Sequence, residues 1–145
     1  MILFSCEIEL TRNINCKMNK LIIDAAKDKI FLMVINNDIN YSITHENSKI
    51  NYEKLPILIN DFLKKNNLNL NKISQIYVNR GPGSFAGVRN TLSIVKAIHI
   101  TKGIDYYCFS FNDFKSQIEV KYENIPNLCD KFSVKKNLIN PIYLS

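Results

Sequence analysis

The sequence predicts an α/β fold whose elements follow in the order β-β-β-α-β-α-β. Three short apolar or alternating runs come first and are separated only by tight turns, which is typical of an antiparallel meander. Two further apolar runs follow, and each is preceded by a segment whose apolar residues recur every three or four positions. We therefore expect a sheet that starts as a meander and continues through two helix–strand units.

The meander is predicted to occupy three runs of the chain: LIIDAA (21–26), IFLMVI (30–35) and INYSITH (39–45). Turns are expected at residues 28–29 and 36–38, because Asn and Asp favour tight turns. Residues 1–17 show no clear period, and Met18 stands directly before the first strand. We predict that residues 1–17 are an extension produced by a mis-assigned translation start.

The first helix is expected to begin near Asn51 and to bury one apolar stripe: Tyr52, Leu55, Ile59 and Phe62. A fourth strand at 73–78 leads into a second helix, which should start at Ser84 and end before Gly103. The apolar stripe predicted for this second helix consists of Phe85, Val88, Leu92, Val95 and Ile98. A fifth strand is expected at 104–109, and a short helix at 112–118.

Composition limits the classes of function. The formal charge is +6, but sixteen of the nineteen basic residues are lysines that stand mostly singly, which favours a solvated surface over a nucleic-acid patch. The cysteines and histidines have no metal-site spacing, so no metal or cofactor is expected. The opening MILFSC (1–6) lacks the basic start of a secretion signal, so we expect none there, and no apolar run is long enough for a membrane span. We expect a cytoplasmic protein with reduced thiols and no membrane contact.

The glycine-rich segment RGPGSFAGVR (80–89) lies between a predicted strand and a predicted helix, a position that can hold an anion. Its spacing is that of neither a P-loop nor a dinucleotide fingerprint. Pro82 fixes the backbone, Ser84 can cap the helix, and Gly87 allows a close approach of helix to sheet. These properties favour a structural turn over an anion site, which stays open as the alternative.

This segment closely resembles the signature RGPGSFTGxR of the TsaB (YeaZ) family, with Ala86 where that family usually has Thr. LIIDAA (21–26) is similar to the family's first strand, and NPIYL (140–144) is similar to its C-terminal Pro-x-Tyr-Leu. The resemblance covers residues 18 to about 115 and then the last few. The positions that carry it are Arg80, Gly81, Pro82, Gly83, Ser84, Phe85, Gly87 and Arg89.

The resemblance implies an actin-like ATPase (ribonuclease H-like) half-domain, whose order of elements is the one predicted above. Residues 18–111 would form the N-terminal lobe, and 112–145 a remnant of a second lobe that is largely missing, since such a lobe needs about a hundred residues. The implied role is that of a C-terminally shortened, non-catalytic scaffold for the TsaD subunit. With the ATPase TsaE, TsaD forms threonylcarbamoyladenosine beside the anticodon of tRNA, which this chain would contact only indirectly.

Three further expectations follow from the same resemblance. In actin-like ATPases, an acidic residue at the end of the first strand positions magnesium, and glycines follow this residue in the sequence. Here Asp24 is followed by Ala25-Ala26-Lys27, so we assign Asp24 a structural role in capping the hairpin. The two metal-binding histidines of TsaD have no counterpart in residues 110–115, and His99 is interpreted as a partly exposed helix residue. We therefore predict no catalytic residue and no metal site.

TsaB and TsaD pair through helices of their N-terminal lobes, and a homodimer is a further state that the resemblance allows. The residues that widen the apolar stripes beyond one helix face are the predicted partner contacts: Leu58, Leu63, Val88 and Leu92. The competing interpretations are a small actin-like ATP-dependent enzyme or degenerate glycopeptidase-type hydrolase, a stand-alone nucleic-acid binder, and a decayed gene product.

Overall fold

The computed structural model describes residues 18–37, 39–114 and 119–143. The strands are β1 (Asn19–Asp24), β2 (Lys29–Asn36), β3 (Ile39–Glu46), β4 (Ile73–Asn79) and β5 (Asp105–Phe109). The α-helices are α1 (Lys49–Glu53), α2 (Leu55–Lys65), α3 (Phe85–Lys102) and α4 (Ile125–Lys131). Single 3₁₀ turns occupy Leu70–Lys72, Phe111–Phe114 and Tyr122–Asn124.

The strands form one sheet in the order β3-β2-β1-β4-β5. The pairs β1–β2 and β2–β3 are antiparallel, whereas β1–β4 and β4–β5 are parallel. This arrangement confirms the predicted α/β class and the meander followed by two helix–strand units. The expectations for residues 1–17 and for Asp38 lie outside the described residues.

The helix predicted to follow β3 is divided into α1 and α2, and this prediction is corrected. Ser48, not Asn51, caps α1, since its Oγ accepts a hydrogen bond from the Asn51 backbone N–H at 3.1 Å. The chain leaves helical geometry at Lys54, just before Pro56 in the first turn of α2. Proline has no N–H and its ring clashes with the carbonyl four residues earlier, so one continuous helix cannot pass through this point.

The boundaries predicted for the second long helix are confirmed in α3. Ser84 Oγ accepts a hydrogen bond from the Gly87 N–H at 3.1 Å, and the helix ends at Gly103 in the left-handed conformation (φ 69°). The short helix expected at 112–118 is a single 3₁₀ turn at Phe111–Phe114, and residues 115–118 lie outside the described part of the chain. None of the described helices is long and apolar enough to cross a membrane.

The sheet has a buried core on each of its two faces. On the helical face, Leu21 and Ile23 of β1 pack with the buried stripes of α1, α2 and α3. On the opposite face, Ile22 packs with residues of the tail, which we define as residues 119–143, including Ile125 and Cys129. Neighbouring residues of a strand point to opposite faces, so a central strand buried on both sides is apolar throughout.

The tail therefore belongs to the same folded unit as residues 18–114. Its contacts with Met33, Tyr77 and Phe109 cover the sheet face that the helices leave open. The interpretation of residues 112–145 as a remnant of a second lobe stays a prediction.

Candidate functional site

The glycine-rich loop, residues 79–84, joins the end of β4 to the start of α3. The Arg80 N–H donates to the Phe109 carbonyl at 2.7 Å, and the Ser84 N–H donates to the Ala26 carbonyl at 3.1 Å. On its outer side, the Arg80 carbonyl accepts a hydrogen bond from the Ile142 N–H at 2.7 Å. The loop is thus held between the end of β5, the β1–β2 turn and the last residues of the tail.

The glycines of the segment 80–89 stand where backbones approach closely. A Cβ added at Gly83 would overlap the Ala26 carbonyl, and a Cβ added at Gly87 would overlap the Ala25 carbonyl. Gly81 has a φ of +106°, and a Cβ there would overlap the Ile142 carbonyl. The spacing of the glycines is accounted for by packing of the loop and of α3 against two backbone segments.

The other residues of the segment either contact side chains and carbonyls within this chain or are exposed to solvent. Arg80 forms an ion pair with Asp113 at 2.8 Å and donates to the Asn140 carbonyl at 3.1 Å. The prediction that Phe85 belongs to the apolar stripe covering the sheet is wrong. The Phe85 side chain is 57% exposed because it follows the cap at the very start of α3, where its ring contacts the ring of Tyr143 at 4.8 Å. The Arg89 guanidinium lies 5.7 Å from the Phe85 ring, and Pro82 is exposed.

Asp24 is buried, with 1% of its surface exposed, and both of its carboxylate oxygens accept hydrogen bonds. Oδ1 accepts from the Ala26 N–H and from Asn79 Nδ2, each at 3.1 Å. Oδ2 accepts from the Tyr122 hydroxyl at 2.6 Å. Burial and the adjacent carboxylate raise the pKa of Tyr122, so this hydroxyl stays protonated and acts as the donor.

A magnesium–nucleotide complex, which the sequence resemblance would imply, does not fit this arrangement. The Asp24 oxygens are engaged by protein donors, and Ala25 and Ala26 replace the small glycines that would let phosphate approach the backbone. The Tyr122 ring stacks on Phe31 at a centroid distance of 4.2 Å and so lies directly over the end of β1. Asp24 instead accepts hydrogen bonds from Ala26 in the hairpin turn and from Tyr122 in the tail.

Other titratable groups of the described chain do not assemble into a reactive site. No three His, Cys, Asp or Glu side chains among residues 18–37, 39–114 and 119–143 lie close enough together to hold a metal ion. His99 is half-buried near the end of α3, with Nδ1 3.0 Å from the Ile104 carbonyl oxygen. Burial raises the pKa of Cys108 and of Cys129 to about 12, so both thiols are protonated packing groups at neutral pH.

Three of the four predicted partner contacts do not face outward, and this expectation is corrected. Leu63 and Val88 are fully buried and Leu92 is 4% exposed, all within the core beneath the helices; Leu58 is half-buried. The apolar stripes of α2 and α3 are wide because each helix packs both on the sheet and on its neighbouring helices. Sequence periodicity cannot separate those two kinds of buried contact from an outward one.

Besides Phe85, these helices carry outward apolar side chains that the sequence analysis did not select. Ile57 of α2 is 57% exposed and Ile100 of α3 is 71% exposed. Between the two helices runs a groove of about 210 Å³, which we call the helical groove; it is lined by Pro56, Ile59, Ile94, Ala97, Ile98 and Thr101. The available signal was the presence of isoleucines just off the core stripe of each helix.

Comparison with known proteins agrees with this architecture. Residues 42–113, just under half of the chain, match the family model described as TsaD, tRNA N6-adenosine threonylcarbamoyltransferase. The protein "tRNA threonylcarbamoyladenosine biosynthesis protein TsaB" of Buchnera aphidicola subsp. Baizongia pistaciae (strain Bp) is 39% identical over 41% of this chain and 31% of its own length.

Two solved structures share the fold. The structure of YeaZ from Pseudomonas aeruginosa superposes with a TM-score of 0.59 at 20% identity, covering 63% of this chain and 43% of that one. A crystal structure described as a protein from Pseudomonas aeruginosa with similarity to peptidase YEAZ gives the same values. The chain thus spans about a third of the curated relative and less than half of the solved structures.

The five-stranded mixed sheet with helices on one face is the α/β fold that the chain shares with these solved structures, and residues 42–113 match the TsaD family model. Over the matched part of its sequence, the chain is similar to a TsaB protein, and its fold is similar to that of a YeaZ structure.

Proposed function

We propose that this chain is a non-catalytic scaffold subunit that pairs with a TsaD-like enzyme in the formation of threonylcarbamoyladenosine in tRNA. The proposal rests on a contrast between two places. Both carboxylate oxygens of Asp24 are occupied by hydrogen-bond donors of the chain itself, whereas the helical groove is open. A matching relative is described by its name as a threonylcarbamoyladenosine biosynthesis protein, which supplies the pathway. The match to the TsaD model supports a common lobe architecture for the two subunits.

The scaffold role is supported by what the described side chains can do. An acidic residue whose oxygens accept three hydrogen bonds from the protein has little capacity left for a magnesium ion. The Ser84 hydroxyl already caps α3, so the Gly87 N–H at that helix end is satisfied internally. These contacts argue for a surface that acts by binding a partner.

The partner surface is proposed to be the helical groove together with Ile57 and Ile100. Exposed apolar side chains on two helices that border a groove are typical of a surface that receives a helix from another protein. We assign the TsaD-like subunit as the occupant, because the resemblance pairs the two proteins through helices of their N-terminal lobes. A TsaE-like ATPase would join this pair, and tRNA would be reached through the assembled complex.

The proposal is tested by isolating the chain from its own cells with a mild affinity tag. We expect a TsaD-like subunit to co-purify, and depletion of the chain to lower the threonylcarbamoyladenosine content of tRNA. The matched control is bait carrying Ile57→Glu and Ile100→Glu, which should lose the partner while remaining folded. Recovery of only a second copy of the chain, or of tRNA without a TsaD-like subunit, would contradict the proposed pairing.

A further inference from the structure

Besides the apolar packing on Ile22, a hydrogen bond between residues far apart in the chain joins the tail to the end of the first strand. Tyr122 donates its hydroxyl to Asp24 Oδ2 at 2.6 Å across a separation of 98 residues. The ring is positioned by Phe31, stacked at 4.2 Å, and by Phe111, edge-on at 5.8 Å. This aromatic packing aims the hydroxyl at the carboxylate, so the bond depends on the tail lying against the sheet.

The same carboxylate reaches the glycine-rich loop through one more side chain. Asn79 donates its Nδ2 to Asp24 Oδ1 at 3.1 Å, and its Oδ1 accepts the Gly81 N–H at 2.9 Å. The Ala26 N–H donates to Asp24 Oδ1, and the Ala26 carbonyl accepts the Ser84 N–H. Two short chains of hydrogen bonds therefore run from Asp24 into the loop that starts α3.

The far end of the tail meets the same loop from the other side. The Ile142 N–H donates to the Arg80 carbonyl, and Tyr143 forms an isolated β-bridge with Gly83. Between the two ends, Asn137 exchanges hydrogen bonds with Tyr106 in β5: its N–H donates to the Tyr106 carbonyl at 2.7 Å, and its Oδ1 accepts the Tyr106 N–H at 3.0 Å. The tail is thus hydrogen-bonded to β1 at its start, to β5 in its middle and to the glycine-rich loop at its end.

We propose that the Asp24–Tyr122 contact is a latch that couples the tail to the glycine-rich loop, so that both open and close as one unit. A buried carboxylate that loses one donor is left with unsatisfied charge, and the remaining donors must shift to compensate. The donors available to shift are Asn79 and Ala26, and both continue into the loop. Release of the tail at Tyr122 therefore loosens the start of α3, some forty residues away in sequence. This inference does not depend on the proposed partner.

The latch is tested by residue-resolved amide hydrogen exchange of the full chain labelled with ¹⁵N. In Tyr122→Phe, which keeps the ring and removes only the hydroxyl, we expect the Gly81 and Ser84 amides to exchange about tenfold faster or more, because hydrogen bonds to charged groups are among the stronger ones. Tyr143→Phe is the matched control: it makes the same chemical change on the same tail, away from Asp24. It should leave those two amides at the wild-type rate.

Faster exchange confined to the tail, with Gly81 and Ser84 unchanged in Tyr122→Phe, would overturn the latch. Equal acceleration in both variants would overturn it as well. If Tyr122→Phe does not fold, native-state exchange of the wild-type chain in low denaturant decides the question. The latch requires the amides of Gly81, Asn137 and Ile142 to converge on one opening reaction, whereas independent openings would contradict it.

Discussion

The two faces of the sheet are covered in different ways. The helical face is covered by regular secondary structure, and the opposite face by 3₁₀ turns and the seven-residue helix α4. The helical covering leaves apolar side chains such as Ile57 and Ile100 pointing outward. The tail covering instead brings Tyr122 onto Asp24. The helical covering thus leaves apolar side chains exposed, where we propose that a partner binds, whereas the tail covers the carboxylate at the end of β1.

Removal of the tail should have the largest effect on this comparison. A chain ending after Phe114 exposes Ile22, Met33, Tyr77 and Phe109 to water, and each large apolar side chain contributes on the order of 2 kcal/mol when buried. We expect loss of cooperative unfolding, measured by circular dichroism, and strong binding of a hydrophobic dye. A truncated chain that stays monomeric and melts at the wild-type temperature would show that the tail is dispensable.

A smaller but still large effect is expected on the helical side from Gly87→Ala. The new methyl group would overlap the Ala25 carbonyl, so α3 must move away from the sheet, at a cost of about 2 kcal/mol or more in the free energy of unfolding. Gly103→Ala is the comparison: its surroundings are open, and only its left-handed backbone is strained, at about 1 kcal/mol. Urea denaturation should rank the two variants in that order, and the reverse order would contradict the packing argument.

The helix ends and the buried contacts show which features could be predicted from the sequence and which could not. Gly103 and Ser84 were assigned correctly because helix ends are specified by neighbouring residues. The division between α1 and α2 was missed although its cause, Pro56, stood in the sequence. The burial of Leu63 and Val88, and the pairing of Asp24 with Tyr122, depend on contacts between distant segments. No local pattern encodes those contacts.

The thiols of the two faces give a prediction on pH. Cys108 of β5 packs beneath the helices, Cys129 of the tail packs against the opposite face of the sheet, and burial raises the pKa of each to about 12. Because unfolded thiols ionise near pH 9, their contribution to stability is complete below pH 9 and is lost as the pH rises toward 12. In a background with Cys6 and Cys16 changed to serine, a thiol reagent at pH 8 should label only unfolded chains. Labelling at the rate of a free thiol would contradict burial.

The smallest effect is expected from nucleotide. Since the Asp24 oxygens are held by Ala26, Asn79 and Tyr122, addition of Mg·ATP should leave the melting temperature unchanged and yield no phosphate release. A phosphate-release assay on the purified chain, with Asp24→Asn as the control, checks this. Turnover that is abolished by Asp24→Asn would restore the alternative of a small actin-like ATP-dependent enzyme.

The contrast between the two faces is tested most directly by titrating the purified chain into a TsaD-like subunit from the same genome and measuring the heat of binding. The double variant Ile57→Glu/Ile100→Glu should bind at least tenfold more weakly than the wild type, because it places charge on both helices that border the helical groove. Ile39→Glu on β3, where the isoleucine is 56% exposed, should bind as the wild type does. Unchanged affinity of a folded double variant would contradict an interface on the helical face.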